Sequence, residues 1–140
     1  MEAEPIEIRA ATTDDLGRLA VFLQPFVDAK QILPRSEEEL RILVRHGFVA
    51  ECQGEIAGFA AIEIYSKKLA EVQAMTVSEK FRGRGVGKKL LNACVDRAKV
   101  EGVLELMAIT MSEDLFRSVG FDYALPNQKR ALFIQTRAHD

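Results

Sequence analysis

The sequence KFRGRGVGKK, residues 80–89, carries three glycines and five basic residues in a chain whose formal net charge is −2. A loop of glycines lets the backbone approach an anion closely, because no Cβ atoms stand in the way. Arginine side chains can close around such an anion with forked N–H donors, and lysines add positive charge. Because the chain as a whole is slightly acidic, the pattern indicates a local anion site, and this set of donors would suit a diphosphate.

The glycines of this segment lie between a predicted strand that ends near Ser78 and a predicted helix that begins near Gly85. The first N–H groups of a helix have no helical partners, and the positive end of the helix dipole also attracts anions. A plain turn with solvated basic residues is the alternative, but a strand, glycines, a helix start and basic flanks coincide here. We therefore assign anion binding to Arg82, Gly83, Arg84, Gly85, Val86, Gly87 and Lys88.

Two other phosphate-binding motifs fit this segment poorly. A P-loop would need the pattern GxxxxGK[ST], which the segment lacks. A dinucleotide-binding fold would place GxGxxG after the first strand, whereas this loop follows the fourth predicted strand. Neither motif therefore accounts for the loop.

The elements that position the loop follow from the hydrophobic periodicity of the chain. The first residues alternate as a strand, and apolar residues at helical spacing follow Thr12 or Thr13, either of which could cap the helix. Ser36 and Glu39 have the spacing of a capping box that opens a second helix, which we expect to end at Gly47. The residues that follow predict three neighbouring strands in an antiparallel meander, with a tight turn between the first two.

The C-terminal half of the chain predicts two helices and further strands. These elements are a helix over residues 85–102, a strand over 103–110, a helix over 112–120 and a last strand over 130–137. The full predicted order is β-α-α-β-β-β-α-β-α-β-β. This order indicates an α+β fold with a mixed sheet, in which only the strands that flank the long helix need run parallel.

The composition bounds the kind of protein. With 48% hydrophobic and 29% charged residues in 140 positions, we expect one domain over residues 1–140. The net charge argues against a general binder of nucleic acids or membrane surfaces. No apolar run has the length of a membrane span and the N-terminus lacks a signal-peptide pattern, so we expect a cytoplasmic protein. Cys52 and Cys94 have no metal-binding spacing and indicate reduced core residues, and we expect no metal.

The segment from Arg82 to Gly87 resembles the (Q/R)xxGx(G/A) signature of the GNAT family of N-acetyltransferases, in which this loop holds the pyrophosphate of acetyl-coenzyme A. The resemblance extends over nearly the whole chain, through IRAATTDD, GEIAGFAAI, AEVQAMTVSEKFRGRGVGKKLL and LFRSVGF. Within the family, PFVDAKQILPRSEEELR, LAEVQAMTV and LPNQKRALFIQ are most similar to the acetyltransferase domain of N-acetylglutamate synthases. The resemblance implies the GNAT fold, acetyl-CoA as co-substrate and a place in amino-acid metabolism such as arginine biosynthesis.

Acetyl transfer from a thioester to an amine needs a neutral amine and a stabilised oxyanion. A primary amine has a pKa of roughly 10, so near neutral pH a base must accept its proton. Glu71, on the strand that leads to the loop, is the candidate base, acting directly or through a water. Glu63 could compete, and Glu71 could instead be a solvent-facing strand residue. The resemblance further implies that backbone N–H groups at Met75, Thr76 and Val77 bind the cofactor and the oxyanion.

The proton that the departing thiolate needs has no obvious protein donor. Many GNAT enzymes use a tyrosine of an FYxxxGF stretch, but here Phe116 stands at that position. Tyr65 and Tyr123 are the only tyrosines, and they indicate packing residues with wet hydroxyls, so we expect water to do this work. An acetyl-cysteine route would need a thiolate beside a base, and neither His46 nor His139 pairs naturally with a cysteine. Direct attack by the amine is therefore favoured.

The resemblance implies that the acceptor is the α-amine of glutamate or a similar amino acid, whose carboxylates need forked cationic donors. Arg35 matches an arginine of the synthases, with one residue fewer before it, and Lys30 and Ser36 are further candidates. The alternatives are a solvated loop arginine and, for Ser36, the helix cap alone. The acidic run over residues 37–39 keeps basic acceptors open.

Other functions within the same resemblance stay open. The acceptor could be a protein lysine or N-terminus, a polyamine or an antibiotic. The absence of the usual tyrosine also leaves room for a non-catalytic regulator that binds acyl-CoA. A homodimer is compatible with the sequence.

Overall fold

The computed structural model describes residues 4–123 and the isolated positions 132, 134 and 136. Within them, five strands form one mixed sheet in the order β1-β2-β3-β4-β5. The strands are β1 (Glu7–Ala10), β2 (Gly47–Cys52), β3 (Glu55–Ile64), β4 (Leu69–Val77) and β5 (Glu105–Met107). The closing strand predicted over residues 130–137 lies outside the described residues, except for positions 132, 134 and 136. The end of the predicted element order is therefore outside the described residues as well.

The first four strands pair antiparallel as a meander, and β4 pairs with β5 in parallel. The hairpin between β2 and β3 turns at Gln53 and Gly54, whose φ angles are +50° and +77°. A parallel pair needs a long crossover, and helix α3 (Val86–Val100) supplies it between β4 and β5. The predicted mixed sheet, parallel only around the long helix, is therefore confirmed.

Helices cover both faces of the sheet. In the described residues they are α1 (Leu16–Asp28), α2 (Glu37–Leu43), α3 and α4 (Glu113–Val119). On one face, Leu19 of α1 and Leu40 of α2 pack with Phe59 of β3. On the other face, Leu90 of α3 packs with Ala60, the next residue of β3, because successive strand residues point to opposite faces. None of the helices described is both long and apolar enough to cross a membrane.

Helix α2 begins at the predicted capping box. The Ser36 hydroxyl accepts the Glu39 N–H at 3.1 Å, and the Glu39 carboxylate accepts the Ser36 N–H at 2.9 Å. The helix ends at Leu43, however, and Gly47 is the first residue of β2 rather than the helix terminus. A Cβ atom at Gly47 would lie 3.1 Å from the Phe59 ring, so this glycine allows close packing and does not cap a helix.

Two further predicted boundaries shift. Thr12 caps a 3₁₀ turn, Thr13–Asp15, from which α1 begins at Leu16. The strand predicted over residues 103–110 is reduced to the three residues of β5. The apolar pattern that predicted a longer strand belongs in part to residues that pack under α4 and in part to an exposed loop, where Ile109 is 65% exposed.

Strand β4 contains a bulge that no residue pattern in the sequence predicts. Phe59 pairs with Thr76 and Ala61 pairs with Gln73, so β4 uses one residue more than β3 over the same length. Ala74 within this bulge has a φ of +55°, which non-glycine residues rarely adopt. On its other edge, β4 pairs with β5 only over its first three residues, ending at Glu71. The later residues of β4 therefore present an edge that no described strand pairs.

Candidate active site

The glycine loop owes its shape to two residues in the left-handed region. Gly83 and Gly85 have φ angles of +79° and +76°, and a Cβ atom added at either would meet nothing within 4 Å. The positive φ angles, and not a lack of space, therefore require glycine at these two positions. The surface beside both glycines is open. Gly85 is the N-cap of α3, and the Lys89 N–H is the first to bond back into the helix, at 3.1 Å from the Gly85 carbonyl oxygen. Gly87 differs, because a Cβ there would lie 3.1 Å from Leu115.

The N–H groups of Val86, Gly87 and Lys88 precede that first helical bond and therefore point out of the helix start. The first turn of α3 carries no acidic residue to oppose an anion. Backbone donors, an open surface and the positive end of the helix dipole coincide, which is the donor chemistry that a pyrophosphate needs.

The basic side chains of the loop differ in their partners. Arg84 donates to the carbonyl oxygen of Glu4 and lies 5.6 Å from the ring of Phe81. Lys80 forms an ion pair with Glu55 at 2.7 Å. Arg82 and Lys88 are exposed beside the glycines. The buried Phe81 ring thus anchors the loop, and Arg82, Lys88 and Lys89 are exposed cations beside it.

The N–H groups of β4 alternate between the two edges of that strand. The Ser78 N–H donates to the Ala57 carbonyl oxygen at 2.8 Å and so points toward β3. Successive strand residues point their N–H groups to opposite sides, so that of Val77 points away from β3, that of Thr76 toward it and that of Met75 away again. Of the three predicted backbone donors, Met75 and Val77 thus face the edge that β5 leaves open, and Thr76 does not.

A cavity of about 660 Å³ lies beside the first half of β4, where Glu71 and Gln73 line it. It brings Arg35 and Glu71, the predicted acceptor ligand and the predicted base, into one site. Its charged and polar lining residues are Arg35, Glu39, Arg45, His46, Glu63, Tyr65, Glu71 and Gln73. Glu63 lies directly across from Glu71 in the strand register, so both carboxylates share one face of the sheet.

Hydrogen bonds connect the polar residues of this cavity. The Tyr65 hydroxyl donates to Glu71 Oε1 at 2.6 Å. Arg35 Nη2 donates to Gln73 Oε1 at 2.7 Å, and Gln73 Nε2 donates to Glu63 Oε2 at 3.5 Å. Hydrogen bonds thus fix the side chains of Arg35 and Glu71 within this cavity.

Burial and the neighbouring carboxylates act against each other on the pKa of Arg35 and in the same direction on the pKa of Tyr65. Burial lowers the pKa of Arg35, while Glu63, Glu39 and Glu71 act to raise it, and arginine stays charged. Burial and the hydrogen bond to Glu71 raise the pKa of the Tyr65 hydroxyl well above its usual range. Tyr65 is therefore a hydrogen-bond donor at neutral pH.

The other two predicted acceptor ligands, Lys30 and Ser36, do not line this cavity. The Ser36 hydroxyl caps α2, and Ser36 lines a mostly apolar cavity of about 380 Å³ between α1 and α2, which shares Leu33, Pro34 and Arg35 with the larger cavity. Lys30 lies in the turn after α1 with a φ of +60°, and it lines neither cavity. The structure therefore brings Arg35, but not Lys30 or the Ser36 hydroxyl, to Glu71.

In the described residues, phenylalanine stands at the usual tyrosine position and both cysteines are buried. Phe116 is buried, and its ring packs edge-on against Phe121 at 5.2 Å. The Tyr123 hydroxyl donates to Glu113 at 2.6 Å, outside the acceptor cavity. Burial raises the pKa of the Cys94 thiol to about 12, so it is not a nucleophile near neutral pH. Among these residues no group of three or more His, Cys, Asp or Glu could hold a metal ion.

Sequence reasoning missed the roles of Gln73 and Tyr65 in this cavity. Gln73 stands two residues after Glu71 on the same strand face, so the period of a strand could have indicated it. Tyr65 likewise follows Glu63 by two residues and stands just after the end of β3. Its hydrogen bond to Glu71 on β4 depends on strand register, which the sequence leaves open.

The profile of the Acetyltransferase (GNAT) family matches residues 16–121. The chain belongs to this family. It is a GNAT acetyl-CoA-dependent N-acetyltransferase, so the predicted family, fold, enzyme class and co-substrate are confirmed.

Three similar proteins show which members of the GNAT family this chain is similar to. An uncharacterized N-acetyltransferase of Chlorobaculum tepidum is 30% identical over 121 residues, which cover 86% of this chain and 78% of that protein. The amino-acid acetyltransferase of Ralstonia nicotianae is 31% identical over 132 residues, which cover 90% of this chain and 29% of that protein. N-acetylglutamate synthase from Neisseria gonorrhoeae, solved with coenzyme A and N-acetyl-glutamate, is 25% identical with a TM-score of 0.73 and is matched over 84% of this chain.

The predicted similarity to the acetyltransferase domain of N-acetylglutamate synthases is thereby confirmed. This chain spans 29% of the Ralstonia enzyme and 28% of the Neisseria synthase. The similarity is to one part of those larger proteins.

Proposed function

We propose that this GNAT chain acetylates the α-amine of a small amino acid, with glutamate as the first candidate, by direct attack of the amine on acetyl-CoA. The observation that carries the proposal is that Arg35 and Glu71 line one cavity at the strand that leads to the glycine loop. Similarity to an amino-acid acetyltransferase and to N-acetylglutamate synthase supports the same class of acceptor.

The co-substrate side of the reaction belongs to the loop and the open edge of β4. Bound acetyl-CoA supplies an activated acetyl thioester. The N–H groups of Val86, Gly87 and Lys88, with the Arg82 side chain, would hold its pyrophosphate. The N–H groups of Met75 and Val77 are fixed donors that would stabilise negative charge on the acetyl carbonyl oxygen.

The acceptor side belongs to the cavity. The Glu71 carboxylate would accept the ammonium proton, directly or through a water, which leaves the amine free to attack. The Tyr65 hydroxyl keeps that carboxylate oriented through its 2.6 Å hydrogen bond. Phe116 has no proton to give, so water protonates the departing thiolate.

Arg35 would bind a carboxylate of the acceptor. Its contacts in the described residues use two of its nitrogens, Nη1 toward the Leu33 carbonyl oxygen and Nη2 toward Gln73, and the guanidinium has five N–H donors in all. Arg45 lines the same cavity and could take the second carboxylate of glutamate. A cavity lined by both arginines and carboxylates suits a zwitterion whose amine lies toward Glu71.

A basic acceptor, such as a polyamine or a lysine, is the second candidate. Three carboxylates, those of Glu39, Glu63 and Glu71, line the cavity against two arginines. An excess of negative charge favours a substrate that carries a second ammonium group.

A panel of acceptors tests the proposal. Free thiol is measured after mixing the protein with acetyl-CoA and glutamate, aspartate, glutamine, lysine or putrescine. We expect the highest kcat/KM with glutamate. Thiol release with lysine or putrescine alone would support the second candidate, and binding of coenzyme A without turnover of any amine would support a non-catalytic regulator.

A further inference from the structure

The Thr76 side chain is a buried polar group that the reaction described above does not use. Asp15 and Thr76 are the buried polar or charged residues of the described chain, at 5% and 3% exposure. Asp15 has a clear structural partner, since it forms an ion pair with Arg9 at 2.7 Å and caps the turn before α1. A hydroxyl removed from water is unfavourable unless it is hydrogen-bonded, and valine would fill the same space without one.

The Thr76 hydroxyl lies between two carbonyl oxygens on either side of the β4 bulge. Oγ1 is 3.3 Å from the Phe59 carbonyl oxygen on β3 and 3.3 Å from the Ala74 carbonyl oxygen in the bulge. Ala74 is the residue with a φ of +55°, a conformation that alanine does not favour by itself. The hydroxyl has one proton, which it donates to the Ala74 oxygen in the bulge or to the Phe59 oxygen of the adjacent strand, or shares between them.

Gly58 on β3 fits the same interpretation. A Cβ atom at this position would lie 2.7 Å from the Thr76 carbonyl oxygen and 2.9 Å from Leu90. The backbone of β4 therefore approaches β3 more closely here than any side chain would allow. Gly58 permits this close approach of β4 to β3, and the Thr76 hydroxyl can donate a hydrogen bond across it.

The bulge decides which backbone groups reach the open edge of β4. The extra residue changes the alternation, so that Gln73 and Thr76, three apart, pair with β3 residues on the same face. After the bulge, Met75 and Val77 turn their N–H groups toward the edge that β5 leaves open. Without the bulge, the alternation of the later residues would reverse.

We propose that Thr76 is a positioning residue for acetyl transfer: its hydroxyl holds the β4 bulge, and the bulge aims the N–H groups of Met75 and Val77 at the acetyl carbonyl. The inference rests on the acetyl transfer proposed above and on no particular acceptor. A group that acts in this way contributes in the transition state, where charge develops on the carbonyl oxygen, more than in binding acetyl-CoA.

The test compares Thr76→Val, which keeps the shape and loses the hydroxyl, with Thr76→Ser, which keeps the hydroxyl. Cys94→Ala, a fully buried site in the middle of α3, serves as a control for general loss of stability. For each protein we would measure Tm, kcat and KM for acetyl-CoA with the best acceptor, and the amide resonances of residues 73–77.

Thr76→Val should lower kcat about 10- to 100-fold with little change in KM, as when an oxyanion donor is misplaced. Its largest amide shifts should fall on residues 73–77, and Thr76→Ser should recover most of the rate. Cys94→Ala should lower Tm and keep the wild-type kcat.

A Thr76→Val protein with wild-type kcat and unchanged amide resonances in the bulge would overturn the inference. So would equal losses of kcat in Thr76→Val and Cys94→Ala. The amide resonances report on the bulge without turnover: failure of every acceptor in the wild type would refute the proposed function, while unchanged bulge resonances in Thr76→Val would refute this inference.

Discussion

The glycine loop offers its ligand mainly backbone N–H groups, whereas the acceptor cavity offers side chains. In the loop, Gly83 and Gly85 set the course of the chain, and the donors of the first turn of α3 follow from helix geometry. In the cavity, Arg35, Glu71 and Tyr65 come from three segments and are held by hydrogen bonds to one another or to Gln73. A backbone site suits a co-substrate that does not vary, and a side-chain site can change its acceptor through single substitutions.

The largest effect should follow from breaking the backbone site. Gly85→Glu adds a negative charge and forces a side chain into the left-handed region, so coenzyme A binding should be lost in isothermal titration calorimetry. Gly102→Glu is a matched control, because Gly102 at the other end of α3 has the same φ of +76° and the same open space. Loss of binding in both variants would mean that strain, and not the loop, is responsible.

The next effect concerns the base. Glu71→Gln removes the proton acceptor and keeps the shape, and we expect kcat to fall about 100-fold or more. Glu63→Gln, at the paired position on β3, is the control and should retain most of the rate. Initial rates with the best acceptor measure both variants. A larger loss in Glu63→Gln would assign the base to Glu63 instead.

Removal of the predicted carboxylate ligand, Arg35, should raise the KM for the acceptor. Arg35→Ala removes a charged hydrogen-bond donor, which corresponds to about 1.5–3 kcal/mol, so KM for a carboxylate-bearing acceptor should rise about 10- to 100-fold. KM for acetyl-CoA should not change. Arg41→Ala is the control, because this exposed arginine pairs with Glu37 and does not line the cavity. An unchanged KM in Arg35→Ala would remove Arg35 from the acceptor site.

The smallest effect should come from Tyr65. Tyr65→Phe deletes the hydroxyl that orients Glu71, and for a half-exposed hydrogen bond we expect a two- to tenfold fall in kcat. Tyr123→Phe removes a hydroxyl that makes the same 2.6 Å contact with a different glutamate, Glu113, outside the cavity. If kcat falls equally in Tyr65→Phe and Tyr123→Phe, the Tyr65 hydroxyl has no specific role in orienting Glu71.

The two regions also differ in how far the sequence predicts them. The loop could be predicted because its glycines, its basic residues and the start of α3 lie within ten consecutive positions. The meander of β2, β3 and β4 and the parallel pairing of β4 with β5 followed from periodicity and from the long crossover. These features depend on local pattern and chain order.

The acceptor cavity could be predicted only in part, and the bulge could not be predicted at all. Arg35 and Glu71 were candidates, but their shared cavity depends on the packing of α2 against the sheet. The bulge occurs at Ala74, and alanine gives no signal of a positive φ. Lys30 and Ser36 were further candidates, yet Lys30 lies in the turn after α1 and Ser36 caps α2, and neither lines the acceptor cavity. Tertiary contacts, which single positions do not encode, decide these cases.

The most direct test of the account is identification of the acetylated product. The protein is incubated with acetyl-CoA and glutamate, and N-acetylglutamate is quantified by mass spectrometry beside the free thiol released. The account predicts equal amounts of both, with the acetyl group on the α-nitrogen and no product from the Gly85→Glu protein. Thiol release without N-acetylglutamate would contradict it.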